Sequence, residues 1–542
     1  MSPGGGDGEI PRVVFAADRS SAGKTTVCIG IMALLREMGF TVQGFKVALD
    51  YIDTGFHSII TGRASRNLDG FLMSPADILK IFARACEGAD IAVIEGVRGL
   101  YEGLNYDDDV GSTAQISKIL GAPVILIVDA RSLTRSAAAL VSGYMNFDEV
   151  EIAAVILNYI GTERHGEKAE KAIERYCGID VIGKIPEDRH LKIGMRHLGL
   201  ITAVECMKRM SDFNAVIERI KRVIGENVDV DAVVDIARRA RNISIPADVT
   251  LPCSVELPIV SSSLSSSLSS SPSSSPSSSP AARASHSSST SHTAASSASL
   301  SPALSSASVS STAPVSQSHS EREERVKIAV AYDEAFNFYY QDTLDMLACE
   351  GAEILFFSPI YDRQLPEGID AIYIGGGFPE IYAEDLQSNE DMRASVREYY
   401  ENDGVIYAEC GGLMYLMDEL EYESKRYEMC GVIRGRAEWT DERRIVNYVV
   451  GEIRRDCFLG KAGKRFKAHE FHRSKIMLRD ESTDFAYRIF RGEGIIRVRE
   501  KDAVVGLDGI ITKNCIASYT HIHAVAFPRF AEDFVGFLRQ MQ

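Results

Sequence analysis

The stretch RVVFAADRSSAGKTT, residues 12–26, is typical of a strand, a tight loop and the first turn of a helix in direct succession. A phosphate-binding loop requires this context, because backbone N–H groups and the helix N-terminus then face one anion. Lys24 is predicted to reach the β- and γ-phosphate oxygens of ATP, and Thr25 to hold Mg²⁺. Asp18 departs from the pattern, since a glycine is expected at that position. The predicted ATP-binding residues are Ser21, Ala22, Gly23, Lys24, Thr25 and Thr26.

Apolar runs alternate with helical segments across the first half of the chain. The runs RVVFAA, TVQGFKV, IAVIEG, PVILIVDA and IAAVILNYI are short and nearly continuous, as strands buried on both faces are. Strands that alternate with helices form a parallel sheet with helices on both faces. The sequence therefore predicts a three-layer α/β domain with a phosphate-binding loop over residues 11–258.

Acidic and basic residues follow two of these predicted strands. Ligands of open α/β sheets bind at the carboxyl ends of the strands, where IAVIEG ends near Glu95. The strand TVQGFKV carries Lys46 near its end and is followed by ALDYID, which adds Asp50 and Asp53. Thr25, Asp50, Asp53 and Glu95 are the predicted Mg²⁺ ligands. Without further information, a solvated turn explains ALDYID equally well.

A change of composition divides the chain. Residues 259–322 are rich in serine, alanine and proline, and they lack the apolar area that would offset their ordering entropy. We expect a disordered linker there and a disordered N-terminus over residues 1–10. Residues 323–542 again alternate predicted strands (VKIAVAYD, AEILFFSP, DAIYIGGG, GVIYAEC) with helices such as NFYYQDTLDMLACEG. A second mainly parallel three-layer α/β domain is predicted.

Cys410 lies in AECGGLMYL, residues 408–416, where a predicted strand turns into a helix. The N-terminal dipole of that helix is expected to lower the pKa of the thiol. ASYTHIHA offers His521 and His523 as bases, and His521 is the predicted one. An oxyanion would be met by backbone N–H groups of Gly376, Gly377 and Gly411. The alternative is a buried structural cysteine beside unrelated histidines.

Composition excludes several classes of protein. The formal net charge is −17, which disfavours binding to nucleic acid or to an anionic membrane. No apolar run reaches about 18 residues, and no signal peptide is evident, so a cytoplasmic location is expected. The ten cysteines are scattered without a CxxC pair, which makes a zinc site unexpected. The oligomeric state is left open.

The two halves together resemble a known family, the cobyrinic acid a,c-diamide synthases and their archaeal relatives that act on nickel sirohydrochlorin. The resemblance rests on SSAGKTT, GFKVALDYIDTGFH, EGVRGLYEG, GSTAQISK, RHLGL, IGGGFPE, AECGGLMYL, GRAE, HEFH and SYTHIH. These stretches run through both halves of the chain and leave out only the serine-rich linker. Their order and number carry the resemblance, since each by itself is weak.

The resemblance implies a class I-like glutamine amidotransferase domain that feeds a P-loop synthetase domain. ATP would convert a tetrapyrrole carboxylate to an acyl phosphate, and Cys410 would release ammonia from glutamine inside the enzyme. The a and c side chains of cobyrinic acid, nickel sirohydrochlorin or both would be amidated. His523 stands where related amidotransferases carry the glutamate that orients the histidine, so a dyad is implied.

Substrate contacts follow from the same resemblance. Arg98 replaces a residue that many cobyrinate enzymes carry in EGVMG, and it could pair with a ring carboxylate. A surface ion pair is the alternative for Arg98, and a metal role for HEFH is not claimed. The predicted substrate residues are Lys46, Arg98, Tyr101, His469 and His472.

Three other functions compete with this interpretation. A cobyric acid synthase would amidate other side chains of the same ring. A non-catalytic P-loop switch with a degenerate amidotransferase domain would have lost the thiol or its base. The third hypothesis is a glutamine-dependent synthetase that acts on an unrelated acid, such as a nucleotide or a cell-wall precursor.

Overall fold

The computed structural model describes residues 10–188, 195–196, 199–200, 202–209, 213–246, 254–258, 325–441, 444–480, 482–500 and 503–542. The linker predicted over residues 259–322 lies outside these ranges, as do residues 1–9, Cys253 and two residues of the RHLGL motif. Among the described residues, no helix is both long enough and apolar enough to cross a lipid bilayer.

Seven parallel strands form the sheet of the first domain, in the order β3-β2-β4-β1-β5-β6-β7. The strand of the opening motif lies at the centre of this sheet, and all six of its residues are buried. The predicted parallel sheet is therefore confirmed. The strands are β1 Arg12–Ala17, β2 Val42–Val47, β3 Arg66–Leu68, β4 Ile91–Glu95, β5 Val124–Asp129, β6 Ile152–Ile160 and β7 Val181–Pro186.

Helices cover both faces of this sheet. Because successive strand residues point to opposite faces, Val13 packs with α1, α2 and α7 to α9, whereas Val14 packs with α3 to α6. The helices are α1 Lys24–Glu37, α2 Tyr51–Thr61, α3 Pro75–Ala85, α4 Thr113–Leu120, α5 Arg135–Phe147, α6 Glu163–Cys177, α7 Ala203–Arg209, α8 Phe213–Asn227 and α9 Val230–Arg238. The short strands β8 Met195–Arg196 and β9 Gly199–Leu200 pair with each other.

The second domain begins with a parallel sheet and continues it with antiparallel strands. The parallel part has the order β12-β10-β13-β15-β25, and β24, β22, β19, β20 and β26 extend it in antiparallel pairing. Four of the five parallel strands were predicted, whereas β25 and the antiparallel extension were not.

The bounds of these elements are as follows. The main-sheet strands are β10 Lys327–Ala331, β12 Glu353–Phe357, β13 Ala371–Ile374, β15 Val405–Glu409, β19 Ile445–Ile453, β20 Arg465–His472, β22 Asp484–Arg491, β23 Ile496–Glu500, β24 Ala503–Thr512, β25 Cys515–Ser518 and β26 Thr520–His521. Smaller sheets hold β11 Phe336–Phe338, β14 Gly376–Gly377, β16 Met417–Tyr422, β17 Lys425–Glu428, β18 Ile433–Trp439 and β21 Ser474–Leu478. The helices are α10 Gln341–Cys349, α11 Ala383–Ser388, α12 Glu390–Glu401, α13 Gly411–Leu416 and α14 Phe530–Met541.

One predicted helix begins later than the sequence suggested. The stretch NFYYQDTLDMLACEG was interpreted as helical from residue 337, but α10 begins at Gln341. Phe336 to Phe338 form β11 instead, which pairs with the two glycines of β14. The pairing overrides the local helical pattern, because the backbone of β14 needs a partner when it is buried.

Buried polar contacts join the two domains. Arg66 of β3 donates to Asp345 of α10 at 2.8 Å and lies 3.4 Å from Asp342. Lys467 of β20 donates to the carbonyl of Phe71 at 2.7 Å. The aromatic core of the first domain also includes Phe338 and Phe378 of the second. These contacts bring the carboxyl ends of the two parallel sheets towards the same region of the molecule, between the two domains.

Candidate active site

The phosphate-binding loop turns tightly at two residues of positive φ, Ser21 at 63° and Gly23 at 94°. A Cβ atom on Gly23 would lie 2.2 Å from the Nδ2 atom of Asn158, so only glycine fits there. Asn158 donates from that atom to the carbonyl of Ala22 at 2.8 Å. The 14-residue helix α1 begins at Lys24, directly after the loop. This arrangement suits phosphate binding at a helix N-terminus.

Asp18 has a structural reason to replace the expected glycine. Its carboxylate accepts from the backbone N–H of Asp129 at 3.1 Å and from Nε of Arg19 at 2.6 Å. The side chain therefore ties the end of β1 to the end of β5, and it stabilises the base of the loop.

Lys24 is a buried cation between two backbone carbonyls. Its Nζ atom donates to Arg98 at 2.5 Å and to Arg19 at 3.4 Å. Burial, followed by repulsion from Lys46, lowers the pKa of Lys24 to about 8. A bound phosphate would replace these carbonyls with a stronger, charged acceptor.

A buried cluster of charges lies beside the loop, as the sequence predicted. Lys46 lies 2.7 Å from Asp53 and 2.7 Å from Glu95, and Thr25 donates its hydroxyl to Glu95 at 2.7 Å. Burial alone would raise the pKa of Glu95, but Lys46 and His57 outweigh it and hold that pKa below its usual range. Glu95 is therefore ionised at neutral pH.

The cluster holds three carboxylic acids, Asp50, Asp53 and Glu95, around the one ammonium group of Lys46. Burial, together with the charge of Asp50, raises the pKa of Asp53 to about 8 despite its contact with Lys46. Asp50 also caps α2, because one carboxylate oxygen accepts from the N–H groups of Ile52 and Asp53. An excess of carboxylate oxygen beside a phosphate-binding loop suits a hard divalent cation.

His57 was missed by the sequence analysis. Its Nε2 atom lies 2.7 Å from Glu95, so it holds that carboxylate in place. The available signal was its position four residues after Asp53 on α2, which puts the two side chains on one face of the helix.

Arg98 and Tyr101 have different placements. Arg98 is exposed, has a φ of 47° and lines the large cavity described below. Tyr101 donates its hydroxyl to the carbonyl of Tyr144 at 2.6 Å, and its ring packs against Tyr144 and Phe147. Tyr101 does not line that cavity, because its hydroxyl is already engaged.

Cys410 lies between β15 and α13 with a φ of 48°. Its Sγ atom is 3.5 Å from the carbonyl oxygen of Phe471, and its side chain is buried. Burial and the nearby Glu380 raise the pKa of the thiol, so the expected lowering is wrong. The backbone N–H of Gly411, at the start of α13, lowers the pKa of the thiol, but it does not offset that burial. The resting group is a neutral thiol.

The three predicted oxyanion glycines come together. Gly376 and Gly377 form β14, and a Cβ atom on Gly411 would lie 3.0 Å from the backbone nitrogen of Gly377. The N–H of Gly412 donates to Gly375 at 3.0 Å, which fixes the turn after the thiol against this strand. Such an arrangement can present two N–H groups to one developing oxyanion.

His521 follows the strand next to the one that carries Cys410. Ser518 pairs with Glu409 in the parallel register of β15 and β25, so both strand ends meet at one edge of the sheet. The Nδ1 atom of His521 lies 3.3 Å from the hydroxyl of Tyr51 and 3.8 Å from Glu409. Burial, with His469 as a second cause, lowers the pKa of His521 far below its usual value. Its imidazole is neutral and able to accept a proton.

Glu409, the residue before the thiol, was also missed. Its carboxylate accepts from the hydroxyls of Tyr407 at 2.6 Å and Tyr373 at 3.0 Å, and from the N–H of Ile522 at 2.9 Å. Burial raises its pKa to about 7. His523 instead lies 3.6 Å from Asp342, away from the thiol. The only sequence signal for Glu409 was its adjacency to Cys410.

The two predicted substrate histidines of HEFH point in different directions. Three residues apart on β20, they belong to opposite faces of the strand. His469 stacks on His521 at 4.8 Å, and burial lowers its pKa to about 3. His472 stacks on Tyr519 at 3.6 Å. The pair therefore cannot bind one metal ion.

A cavity of about 1100 Å³ lies between the two domains. Lys24, Thr25 and Asp53 line it from the first domain, and His469 and Phe471 from the second. Phe471 also contacts Cys410 through its carbonyl oxygen. The thiol and the cavity are thus separated by the thickness of one residue.

A smaller cavity of about 270 Å³ lies on the other side of β20. His472, Ser474 and Tyr519 line it, and Glu493 and Arg497 add a carboxylate and a guanidinium. Arg497 and Glu493 lie 3.5 Å apart as an ion pair, and the volume suits a ligand of the size of a free amino acid.

The first domain carries a phosphate-binding loop, and the second carries a buried thiol, a neutral histidine and a glycine-lined turn. Both sets of residues lie next to one cavity. Together they are typical of the class of glutamine amidotransferases with a nucleotide-binding domain. Two family models agree with this class. Residues 13–201 match the CobQ/CobB/MinD/ParA nucleotide binding domain, and residues 327–528 match the CobB/CobQ-like glutamine amidotransferase domain.

Curated relatives narrow the class further. A cobyrinate a,c-diamide synthase from Methanosarcina acetivorans is 43% identical over 97% of this chain and 95% of its own. One from Methanothermobacter thermautotrophicus is 38% identical over 96% of this chain and 98% of its own. The chain belongs to the family of cobyrinate a,c-diamide synthases, which are amidotransferase ligases that use glutamine.

Proposed function

We propose that the chain catalyses ATP-dependent, glutamine-hydrolysing amidation of the a- and c-side-chain carboxylates of a tetrapyrrole. The substrate is cobyrinic acid, nickel sirohydrochlorin or both, in cobalamin or coenzyme F430 biosynthesis, and an acyl phosphate is the intermediate. The observation that carries this proposal is the shared cavity, because Lys24 and His469 line the same space of about 1100 Å³.

The lining of the cavity supports a substrate with several carboxylates. Three exposed arginines, Arg98, Arg444 and Arg491, line it, and none of them forms an ion pair within the described part of the chain. In a chain of net charge −17, a local group of unpaired guanidinium ions marks where an anion would be bound. Leu49 and Val446 add apolar surface for the faces of a large ring.

Mg²⁺ fits the acid cluster. Three carboxylic acids surround the one ammonium group of Lys46, and Thr25, Asp50, Asp53 and Glu95 are oxygen donors of the kind that Mg²⁺ prefers. When bound with ATP, the ion would screen the charge of the β- and γ-phosphates. Lys24 would bind these phosphates, and His57 would keep Glu95 in place.

Nitrogen release begins from a neutral pair. As glutamine binds, the Cys410 proton passes to His521, and the thiolate attacks the amide carbon of glutamine. N–H groups of Gly377 and Gly411 would stabilise the oxyanion. His521 returns the proton to the leaving nitrogen, so NH₃ departs and a thioester remains. Water then hydrolyses the thioester to glutamate and restores the thiol.

Nitrogen use takes place on the cavity side. A substrate carboxylate oxygen attacks the γ-phosphorus of ATP, ADP leaves, and an acyl phosphate forms. Ammonia attacks the acyl carbon, phosphate leaves, and the amide forms with loss of one proton. Since Phe471 contacts Cys410 and also lines the cavity, ammonia would have a short path to the acyl phosphate beside His469 and Phe471.

Two alternatives have less support. A cobyric acid synthase-type reaction would use the same machinery on other side chains, but the curated relatives carry the a,c-diamide name. A non-catalytic switch would not need a neutral His521 next to Gly376, at the same edge of the sheet as a buried thiol.

The direct test is incubation with Mg-ATP, glutamine and either cobyrinic acid or nickel sirohydrochlorin, followed by mass spectrometry. We expect two amidations of at least one acid. Cys410→Ala should abolish product from glutamine and keep product from added ammonium salt. Cys430→Ala, which removes another buried thiol of the same domain, should keep both activities. Conversion of neither acid would refute the substrate assignment and leave the ligase class standing.

A further inference from the structure

Among the residues that the structure describes, no carboxylate lies within hydrogen-bond distance of His521 to orient it as a base. The polar side-chain atom that does lie within that distance is the hydroxyl oxygen of Tyr51, from the other domain. The Tyr51 hydroxyl lies 3.3 Å from Nδ1 of His521, whereas the nearest carboxylate, Glu409, is 3.8 Å away. Both side chains are buried. With Nδ1 engaged by Tyr51, Nε2 is the nitrogen that remains for the thiol proton.

Tyr51 also contacts β11, the strand that pairs with the glycines of β14. Its ring stacks on Phe338 with centroids 5.0 Å apart and planes 6° apart, and Phe338 belongs to β11, which pairs with Gly376. The ring of Tyr340 lies 4.6 Å away on the same segment. Tyr51 of the synthetase domain thus contacts His521, the proposed base, and also packs on the strand that pairs with the proposed oxyanion glycines.

The first turn of α2 joins this contact to the acid cluster. Asp50 caps the helix, Tyr51 is its first residue, and Asp53 in the same turn is paired with Lys46. Because these three residues share one rigid helical turn, a ligand that shifts Asp50 or Asp53 also shifts the Tyr51 hydroxyl. A shift of that hydroxyl changes the orientation of His521.

We propose that Tyr51 is the positioning residue for His521, and that occupancy of the synthetase site controls glutamine hydrolysis through it. This inference rests on the proposed function. When His521 takes the Cys410 proton, its Nδ1–H donates to the Tyr51 oxygen, which orients the ring and stabilises the imidazolium. The glutaminase site is therefore complete only when the synthetase half is docked against it.

Tyr51→Phe tests the proposal, because it keeps the packed ring and removes only the hydroxyl. We expect kcat for glutamine hydrolysis to fall about three- to tenfold, the range for loss of one hydrogen bond. KM for glutamine should stay within about twofold, since Tyr51 does not line the small cavity. Product formation from added ammonium salt should stay within about twofold of its wild-type rate, because that reaction bypasses His521 and the substitution keeps the ring that lines the large cavity.

The second readout is the ratio of glutaminase rates with and without ATP and the tetrapyrrole acid. It should exceed one in the wild type and approach one in Tyr51→Phe. Tyr400→Phe is the matched control, since it removes a half-buried hydroxyl that pairs with Thr512 outside both sites. That control should keep the wild-type kcat and ratio, and thermal melting should show that both variants are folded.

Two results would overturn the inference. An unchanged glutaminase kcat and ratio in Tyr51→Phe would mean that the hydroxyl does not position His521. An equal loss from glutamine and from ammonium salt would place the role of Tyr51 in the synthetase reaction instead. In either case wild-type conversion of the tetrapyrrole acid would still support the proposed function, so the two failures are distinguishable.

Discussion

Glu409 is the acid nearest to His521, and its protonation state changes near neutral pH. Burial raises its pKa to about 7, while three donors, two tyrosine hydroxyls and one backbone N–H, favour its charged form. His521 and Cys410 do not titrate in this range, because burial lowers the pKa of the first and raises that of the second. At the scale of single residues, Glu409 therefore sets the charge around the base.

This predicts an acid limb in the pH profile of glutamine hydrolysis. Below about pH 7, Glu409 takes up a proton and no longer stabilises the imidazolium that forms on His521. We expect kcat to fall roughly tenfold between pH 8 and pH 5.5, given an unscreened charge at this distance. In Glu409→Gln the rate should be low and flat across the same range. A limb that persists in Glu409→Gln would assign it to another group.

The helix α2 is the element that serves both sites. Its cap, Asp50, accepts two backbone N–H groups and also adds negative charge next to Asp53. Its second turn supplies His57, which holds Glu95. A single element thus combines a stabilising cap, residues of the proposed Mg²⁺ site and contact with the other domain.

Two substitutions separate the cap of α2 from its charge. Asp50→Asn can still cap, so the free energy of unfolding should change by only a few tenths of a kcal/mol, whereas Asp50→Ala should lose about 1 kcal/mol. Both should lower ATP-dependent amidation at least about tenfold, because both remove a carboxylate from the proposed Mg²⁺ site. Denaturant unfolding and product assays measure the two effects.

Ser74→Ala is the control for this pair. Ser74 caps α3 through Asp77 and lies outside both sites. It should reduce stability by about 1 kcal/mol and leave turnover at the wild-type rate. Full turnover in Asp50→Asn would show that the charge of Asp50 is not needed.

The cavity belongs to the whole molecule, since neither domain encloses it alone. Arg98 comes from the synthetase domain, and Arg444 and Arg491 flank strands of the antiparallel extension. Buried contacts such as Arg66 with Asp345 hold the two linings opposite each other. If the proposed tetrapyrrole acid binds there, its carboxylates would meet cations from both domains.

Removal of the two amidotransferase-domain arginines tests this arrangement. The double variant Arg444→Ala, Arg491→Ala should raise KM for the tetrapyrrole acid about 10- to 100-fold, since exposed charge-assisted contacts contribute about 1 kcal/mol each. KM for ATP and for glutamine should stay within about twofold. Arg479→Ala, an exposed arginine paired with Asp418 outside the cavity, should leave all three constants unchanged. An unchanged KM for the acid would place its binding elsewhere.

Structural features that depend on neighbouring residues in the sequence could be predicted. The strand, loop and helix around Gly23 and Lys24, the presence of parallel strands in each domain and the turn at Cys410 follow from short-range periodicity and backbone conformation. The sequence could place the four predicted metal ligands near one another, and likewise the three predicted oxyanion glycines, because the carboxyl ends of parallel strands share one edge; their roles stay predictions.

By itself, the sequence determined two α/β domains, their phosphate-binding and thiol motifs and the residues next to them. Only the tertiary structure decided that Tyr51 meets His521 across 470 residues, that burial keeps Cys410 neutral, and that arginines of both domains share a cavity. The physical reason is that these properties depend on which surfaces are packed together and desolvated. Local patterns of side chains specify strands and helices, but they do not state what those elements will be buried against.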